Sequence, residues 1–315
     1  MRSSTLLLAL VASGYALELP FTSLKRGLAS LFPRKNGNKC PPAWTTVSQD
    51  LTKMFLTNGQ CNDDARAAIR AAFHDCGTWN KAQGAKGGCD GSLILAQEYN
   101  RAENNGLQAI SAKLLDLSKT RSVGVADMIA FAGAHAIVTC PSGPQVKTYI
   151  GRKDSSTPAP DGLLPDVNAS GDSLFALFQD KGFDAVDLAA LVGAHTTSKQ
   201  FFVDQAQAGK PQDSTPGVWD VKFYGETLAE PPPPGNFRFA SDLALSKQVQ
   251  VGKEFKGFVD NQGKWSGKFA DAMSRMLLLG VPGGADALTD CTDALPRSTG
   301  KKRDIKSAPM FKPRS

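Results

Sequence analysis

Apolar residues recur at intervals of three and four over 44–56, 63–73, 106–117, 125–136, 171–179, 184–194 and 268–279, with Gly, Pro or Asn in the intervals between. That period gathers them on one face of a helix and predicts a mainly α-helical protein. Stretches with strand alternation are few and short, and the prolines at 231–234 make a rigid surface turn. One pattern occurs twice: DMIAFAGAH at 127–135 returns as DLAALVGAH at 187–195. Two predicted helices therefore end in histidine, His135 and His195. The repeat alone does not choose between them.

The third histidine lies in Ile69-Arg70-Ala71-Ala72-Phe73-His74-Asp75-Cys76, at the end of an Ala-rich run without Gly or Pro. In a helix, a spacing of four puts Arg70 and His74 on one face, so that a fixed cation and a titratable base share one space. With three histidines in 315 residues, each one is informative. Taken alone, the eight residues fit an ordinary helix with a core histidine equally well.

At 41% apolar residues, a chain of this length can bury a large core. The net charge of +6 changes meaning once it is placed along the sequence. Each end carries about +5, which leaves residues 40–300 mildly acidic and removes the charge argument for a nucleic-acid partner. Residues 1–16 have a charged start, a short apolar run and small residues at Gly14 and Ala16, the pattern of a secretory leader. Residues 17–39 read as a pro-segment or extended N-terminus, with the dibasic Lys25-Arg26 a place for trimming, and 300–315 as a basic tail. No other run is long enough to span a bilayer, so a secreted protein with no membrane partner is expected.

Export governs the reading of six cysteines, Cys40, Cys61, Cys76, Cys89, Cys140 and Cys291. An even number in an oxidising compartment predicts disulfides, although several pairings remain open. The absence of any Cys-x-x-Cys makes a zinc site a poor reading. Asn168-Ala169-Ser170 is a glycosylation sequon. Asp75, Asp90 and Ser92, with Gly88 free to offer a carbonyl, form one oxygen-rich set suited to calcium; 213–220 is a second. Ordinary turn chemistry would produce similar stretches.

In their order, these motifs resemble the secreted haem peroxidases of the plant/fungal superfamily, nearest to the fungal ligninolytic class. The resemblance covers most of 40–295. It rests on Arg70-x-x-Phe73-His74-Asp75, Gly88-Cys89-Asp90-Gly91-Ser92, Glu98 six before Asn104, Gly151-Arg152-x-Asp154, Gly193-Ala194-His195-Thr196, the run from Asp213 to Asp220, and Phe237-Arg238 leading to Ser241-Asp242. It implies a two-lobed helical fold with haem b between a distal lobe (about 40–150) and a proximal lobe (about 151–299).

By the same resemblance, His74 is the acid–base group and Arg70 stabilises charge on the departing peroxide oxygen, with Asn104 orienting His74 and Glu98 holding Asn104. His195 would be the iron ligand, Asp242 its carboxylate partner, and Phe73 a haem contact; His135 would be structural. Two Ca2+ are implied, one on Asp75, Gly88, Asp90 and Ser92, the other on Thr196, Asp213, Thr215, Val218 and Asp220. The implied disulfides are Cys40–Cys291, Cys61–Cys140 and Cys76–Cys89. Hydrogen peroxide and small phenolic donors, oxidised at a haem edge near Pro165, are the expected substrates of a monomer. Manganese-oxidising relatives carry three acids where this chain has Asp63, Ala67 and Phe201, and relatives with a surface tryptophan route carry it where this chain has Ala190. Neither route is expected. Two other readings are a haem-binding protein without turnover and a calcium-stabilised secreted module without haem.

Overall fold

The helical frame begins with how tightly two helices approach. A computed structural model describes residues 39–299, so the expected leader, nearly all of 17–39 and the tail from 300 lie outside the described residues. Its helices are α1 (Ala43–Phe55), α2 (Asp63–Cys76), α3 (Ser92–Leu95), α4 (Gln108–Arg121), α5 (Val125–Thr139), α6 (Gly171–Lys181), α7 (Ala185–Val192), α8 (Lys222–Leu228), α9 (Ala240–Lys247), α10 (Val249–Gly257) and α11 (Gln262–Met276). Every residue of α5 is buried, and α1, α2 and α4 pack around it. A Cβ on Gly133 would lie 2.4 Å from that of Ala72, so only glycine lets α5 meet α2 so closely.

Local chemistry explains where the helices start. Asn62 accepts the Ala65 N–H, while Asp63 and Asp64 stand in the first turn of α2 where the dipole favours negative charge. The Asp154 carboxylate takes the Val125 and Ala126 N–H groups at the start of α5. Beside it, Arg152 is buried on Asp127, Tyr149 O and Leu277 O, which gives the Gly151-Arg152-x-Asp154 motif a structural role. In α7, Asp184 and Asp187 form a reciprocal capping box.

The second cluster surrounds α7, which packs against α10 and α11, while α9 packs against α6 and α10. Trp219 and Trp265 stack at 5.4 Å within it, and Tyr224, Phe255 and Phe269 adjoin them, all buried. Two short antiparallel pairs complete the frame: β1 (Leu56–Thr57) with β2 (Gln60–Cys61), and β3 (Tyr149–Ile150) with β4 (Thr289–Asp290). Disulfides join Cys40 to Cys291, Cys61 to Cys140 and Cys76 to Cys89. The first ties residues 251 apart, the kind of long closure that most restricts an unfolded chain.

The helical expectation holds, with changes at the edges. The last long helix starts at Gln262 rather than 268, capped by the Asn261 side chain, and ends at Met276. Helix α7 stops at Val192 and tightens into a 3₁₀ turn over Gly193–Thr197, so 184–194 is not one α-helix. Helices α3, α8, α9 and α10 were not expected, because each is too short to display a period of its own.

Candidate active site

Helix α2 presents Arg70 and His74 one turn apart, as their spacing requires, and the loop of 98–106 completes their surroundings. The Asn104 amide nitrogen donates to the Glu98 main-chain carbonyl at 2.8 Å, which turns its oxygen toward His74 Nδ1 at 2.6 Å. An amide oxygen only accepts, so His74 carries its proton on Nδ1 and Nε2 is the free base. Arg70 Nε donates to that nitrogen at 3.2 Å, while Nη1 and Nη2 donate to the carbonyls of Asn105 and Glu103 at 2.7 and 2.9 Å. Burial, with the Arg70 charge beside it, pulls the His74 pKa down to about 3 despite the Asn104 hydrogen bond. Burial also lowers Arg70 to about 10, still a cation at neutral pH.

Glu98 reaches Asn104 only through its main chain. Its carboxylate accepts the Ala159 N–H at 2.6 Å and pairs loosely with Arg101 at 3.4 Å. Successive 3₁₀ turns at Glu98–Asn100 and Ala102–Asn104 bring the carbonyl, rather than the side chain, beneath the amide. Phe73 stacks on Phe178 of α6 at 6.2 Å and meets the His74 ring edge-on.

His195 sits in the 3₁₀ turn after α7, and its Nδ1 lies 2.9 Å from Asp242 Oδ1 in the first turn of α9. Burial alone would lower its pKa, but the Asp242 charge and hydrogen bond outweigh that and raise it. Phe223 and Phe239 flank the ring at 5.7 and 5.6 Å. The side chain is nevertheless 34% accessible. Among the described residues nothing hydrogen-bonds its Nε2, and Asp242 Oδ2 is buried without a partner. The Gln212 amide, beside Asp213, is likewise buried with neither end bonded. His135, by contrast, is fully buried, with Thr52 and Thr139 hydroxyls at its two nitrogens.

The two oxygen-rich stretches form two separate groups. Asp75 is buried, accepts the Gly91 and Leu93 N–H groups, and is raised well above the ordinary carboxylate range by burial and by Asp90 nearby. Ser92 Oγ beside Asp90 is buried without a partner, whereas the Gly88 carbonyl accepts the Asp90 N–H. In the second group the Thr196 hydroxyl donates to Asp213 at 2.5 Å and that of Thr215 to Asp220 at 2.9 Å. Burial raises Asp213 to about 7, with Asp220 and Glu226 adding to the effect. Among the described residues no three His, Cys, Asp or Glu side chains converge as a metal cluster. Each group instead offers two carboxylates and neutral oxygens, a set suited to a hard cation.

Sequence reasoning missed the anchors of Arg70 and the flanking rings of His195. The Glu103 and Asn105 carbonyls leave no mark in side-chain identity, while Phe223 and Phe239 would have needed the loop geometry that places them.

An α-helical frame bearing an Arg–His pair on one helix, and a carboxylate-backed histidine in a separate turn, defines a haem-peroxidase class of protein. A family profile described as Peroxidase matches residues 47–261. The chain is 33% identical over 279 residues to Ligninase LG2 of Phanerodontia chrysosporium, covering 81% of this chain and 75% of that one. It is 32% identical over 275 residues to Ligninase C of Trametes versicolor, with 79% and 73% covered. A Low-redox potential peroxidase of Taiwanofungus camphoratus is 32% identical over 270 residues, with 80% and 77% covered. The chain belongs to the peroxidase family, among the fungal class II members, and is a haem peroxidase that oxidises aromatic substrates with hydrogen peroxide.

The residues present fit the haem that this family implies. An imidazole held at Nδ1 by a carboxylate, with Nε2 unbonded and the ring partly exposed, has the donor chemistry to hold a haem iron.

Proposed function

We propose that His195 would hold the iron of haem b, that His74 and Arg70 would act on hydrogen peroxide, and that small phenols would donate electrons at the haem edge near Pro165. The observation that supports this most is the different partner at the same ring atom: His74 Nδ1 faces an amide oxygen, leaving an uncharged Nε2 beside Arg70, and His195 Nδ1 faces a carboxylate. Haem, when bound, supplies the redox-active iron. With haem bound, His74 Nε2 would take a proton from hydrogen peroxide and return it to the departing oxygen, a task that needs a neutral base. Arg70, fixed by two carbonyls, stabilises the negative charge that develops on that oxygen. Asn104 holds the His74 ring and its tautomer. Asp242 makes the His195 imidazole a stronger electron donor, which favours the oxidised metal.

In this reading, 40–299 is the catalytic domain, with its distal side drawn from about 40–150 and its proximal side from about 151–299. Calcium on Asp75, Gly88, Asp90 and Ser92, and on Thr196, Asp213, Thr215, Val218 and Asp220, relieves the buried carboxylates next to both histidines. The protein works outside the cell as a monomer after removal of 1–16, with neither nucleic acid nor membrane as partner; the three disulfides support that compartment. No single helix among the described residues is long and apolar enough to cross a membrane, and the α4–α5 pair that passes only jointly is bent by 114°. Asp63 is already paired with Arg66 and Lys199, which supports the absence of a Mn(II) site.

The test is an absorption scan and a donor panel, run with and without Mn(II), on protein expressed with haem supplied. A Soret band, phenol turnover indifferent to Mn(II), and a loss of about 10²- to 10⁴-fold in His74→Leu are expected. No turnover above that of free haem would refute the enzyme reading.

A further inference from the structure

Residues 199–211 form a loop that buries Gln200 and exposes the apolar run beside it. Its neck is closed by the bridge of Lys199 with Pro211 and by main-chain bonds between Gln200 and Lys210 and between Gly209 and Gln200. Polar side chains fasten it, Gln200 from within and Gln205 and Gln207 nearer its surface. Gln200, only 3% exposed, donates to Asp204 O and accepts the Asp204 N–H, and Gln205 and Gln207 donate to Phe201 O and to the Asp204 carboxylate. The apolar residues face outward: Phe201, Phe202 and Val203 are 42%, 52% and 48% exposed. Only Val249 joins them as an exposed large apolar residue among those described. Folding would ordinarily bury such rings and leave Gln200 outside, so consecutive exposed rings on a braced loop mark a surface used for binding.

The position of the loop identifies what binds. Phe202 lies over Gly106, whose φ is +90° and where a Cβ would come 2.5 Å from the ring, so the two segments are in close contact. The neighbouring Asn105 carbonyl holds Arg70, and that bond is exposed to solvent. Lys199, at the other end, reaches Asp63 in the first turn of the helix carrying Arg70 and His74. The shelf therefore adjoins the distal site where it opens. The nearest acid of that helix, Asp63, is neutralised by two cations, and among the described residues no three acids, histidines or cysteines converge to hold a metal ion. The Phe201 and Phe202 rings, 6.3 Å apart and inclined at 52°, present two aromatic faces to a flat ring.

We propose that Phe201, Phe202 and Val203 form a docking subsite for an uncharged phenolic ring, which fixes the donor class as aromatic and apolar rather than a chelated metal. This rests on the peroxidase reading above. The experiment uses the haem-loaded enzyme with 2,6-dimethoxyphenol as the aromatic probe and ferrocyanide as a donor without a ring. Phe201→Ser, which spares the Phe202 contact with Gly106, and the double variant Phe201→Ser/Phe202→Ser are compared with the parent. Binding of the phenol to the resting enzyme is read from broadening of its proton resonances, independently of turnover.

The expected result is weaker phenol binding with KM raised about tenfold in the double variant and less in Phe201→Ser, kcat held, and ferrocyanide kinetics unchanged. Unchanged phenol binding and KM would overturn the subsite. So would a parent that dimerises in sedimentation, and becomes monomeric in the double variant, with KM unaltered; the patch would then be an interface between copies. A parent with a Soret band that turns over ferrocyanide keeps the peroxidase reading intact whatever the shelf variants do. A parent lacking both fails earlier and takes the shelf with it.

Discussion

His135 and His195 close nearly the same nine-residue pattern, yet the fold gives them opposite surroundings. At His135 the helix runs on to Thr139, the ring is sealed in the core, and both nitrogens meet hydroxyls of Thr52 and Thr139. At His195 the helix has already tightened into a 3₁₀ turn, the ring is partly open, and the bonded nitrogen faces a carboxylate. The pKa values move apart accordingly: burial takes His135 down to about 4, while Asp242 raises His195 against its own burial. A hydroxyl pair satisfies an imidazole, whereas a single carboxylate polarises it and leaves the other nitrogen available. The partners, not the motif, decide which histidine can do chemistry.

The strongest test of this contrast is to make one substitution at both sites. His195→Gln is expected to lose haem, with a fall in peroxidase activity of at least about 10³-fold, because an amide replaces the one unbonded imidazole nitrogen on the proximal side. His135→Gln should bind haem and turn over as the parent does, since an amide can still meet both threonine hydroxyls. A Soret titration and a steady-state assay read both variants. Equal losses would erase the distinction. A smaller effect is expected at Asp242→Asn, which keeps a hydrogen-bond partner for His195 but removes the charge. Activity should fall about 10- to 100-fold and the iron reduction potential should rise, measured by spectroelectrochemistry. An unchanged potential would mean that the carboxylate only positions the ring.

Much of this was legible in sequence, and what was not has identifiable causes. The long helices announce themselves through period, and Arg70 with His74 through spacing, because both signals are local. The choice between His135 and His195 was not readable from the repeat, since Thr52 and Asp242 lie 83 and 47 residues from the rings they bond. Glu98 is a related case: the resemblance implied that it holds Asn104, but not that consecutive 3₁₀ turns make its main-chain carbonyl the holding atom. Short helices such as α9 and α10 have no readable period, although α9 carries Asp242. The sequence carries no signal for which way the phenylalanines of the 199–211 loop face. Only the bonds of Gln200 and Asp204 show which side faces in.

The finest effect separates the two histidines by stability rather than activity. The folded-state pKa of His135 is depressed to about 4 by burial, against the opposing pull of the Ser48 carbonyl, compared with about 6.5 in an unfolded chain. Between those values the unfolded chain binds a proton that the folded protein refuses. The contribution is therefore fully present above about pH 6.5 and is lost as pH falls toward 4, at about 1.4 kcal/mol per pH unit. From pH 7 to pH 5 the loss is about 2 kcal/mol. In His135→Gln, which has no titrating group, that part of the pH dependence should vanish while the acid response of every other group remains. Urea unfolding of parent and variant at pH 7, 6 and 5 measures the difference, and parallel curves would show that His135 is not held neutral in the core.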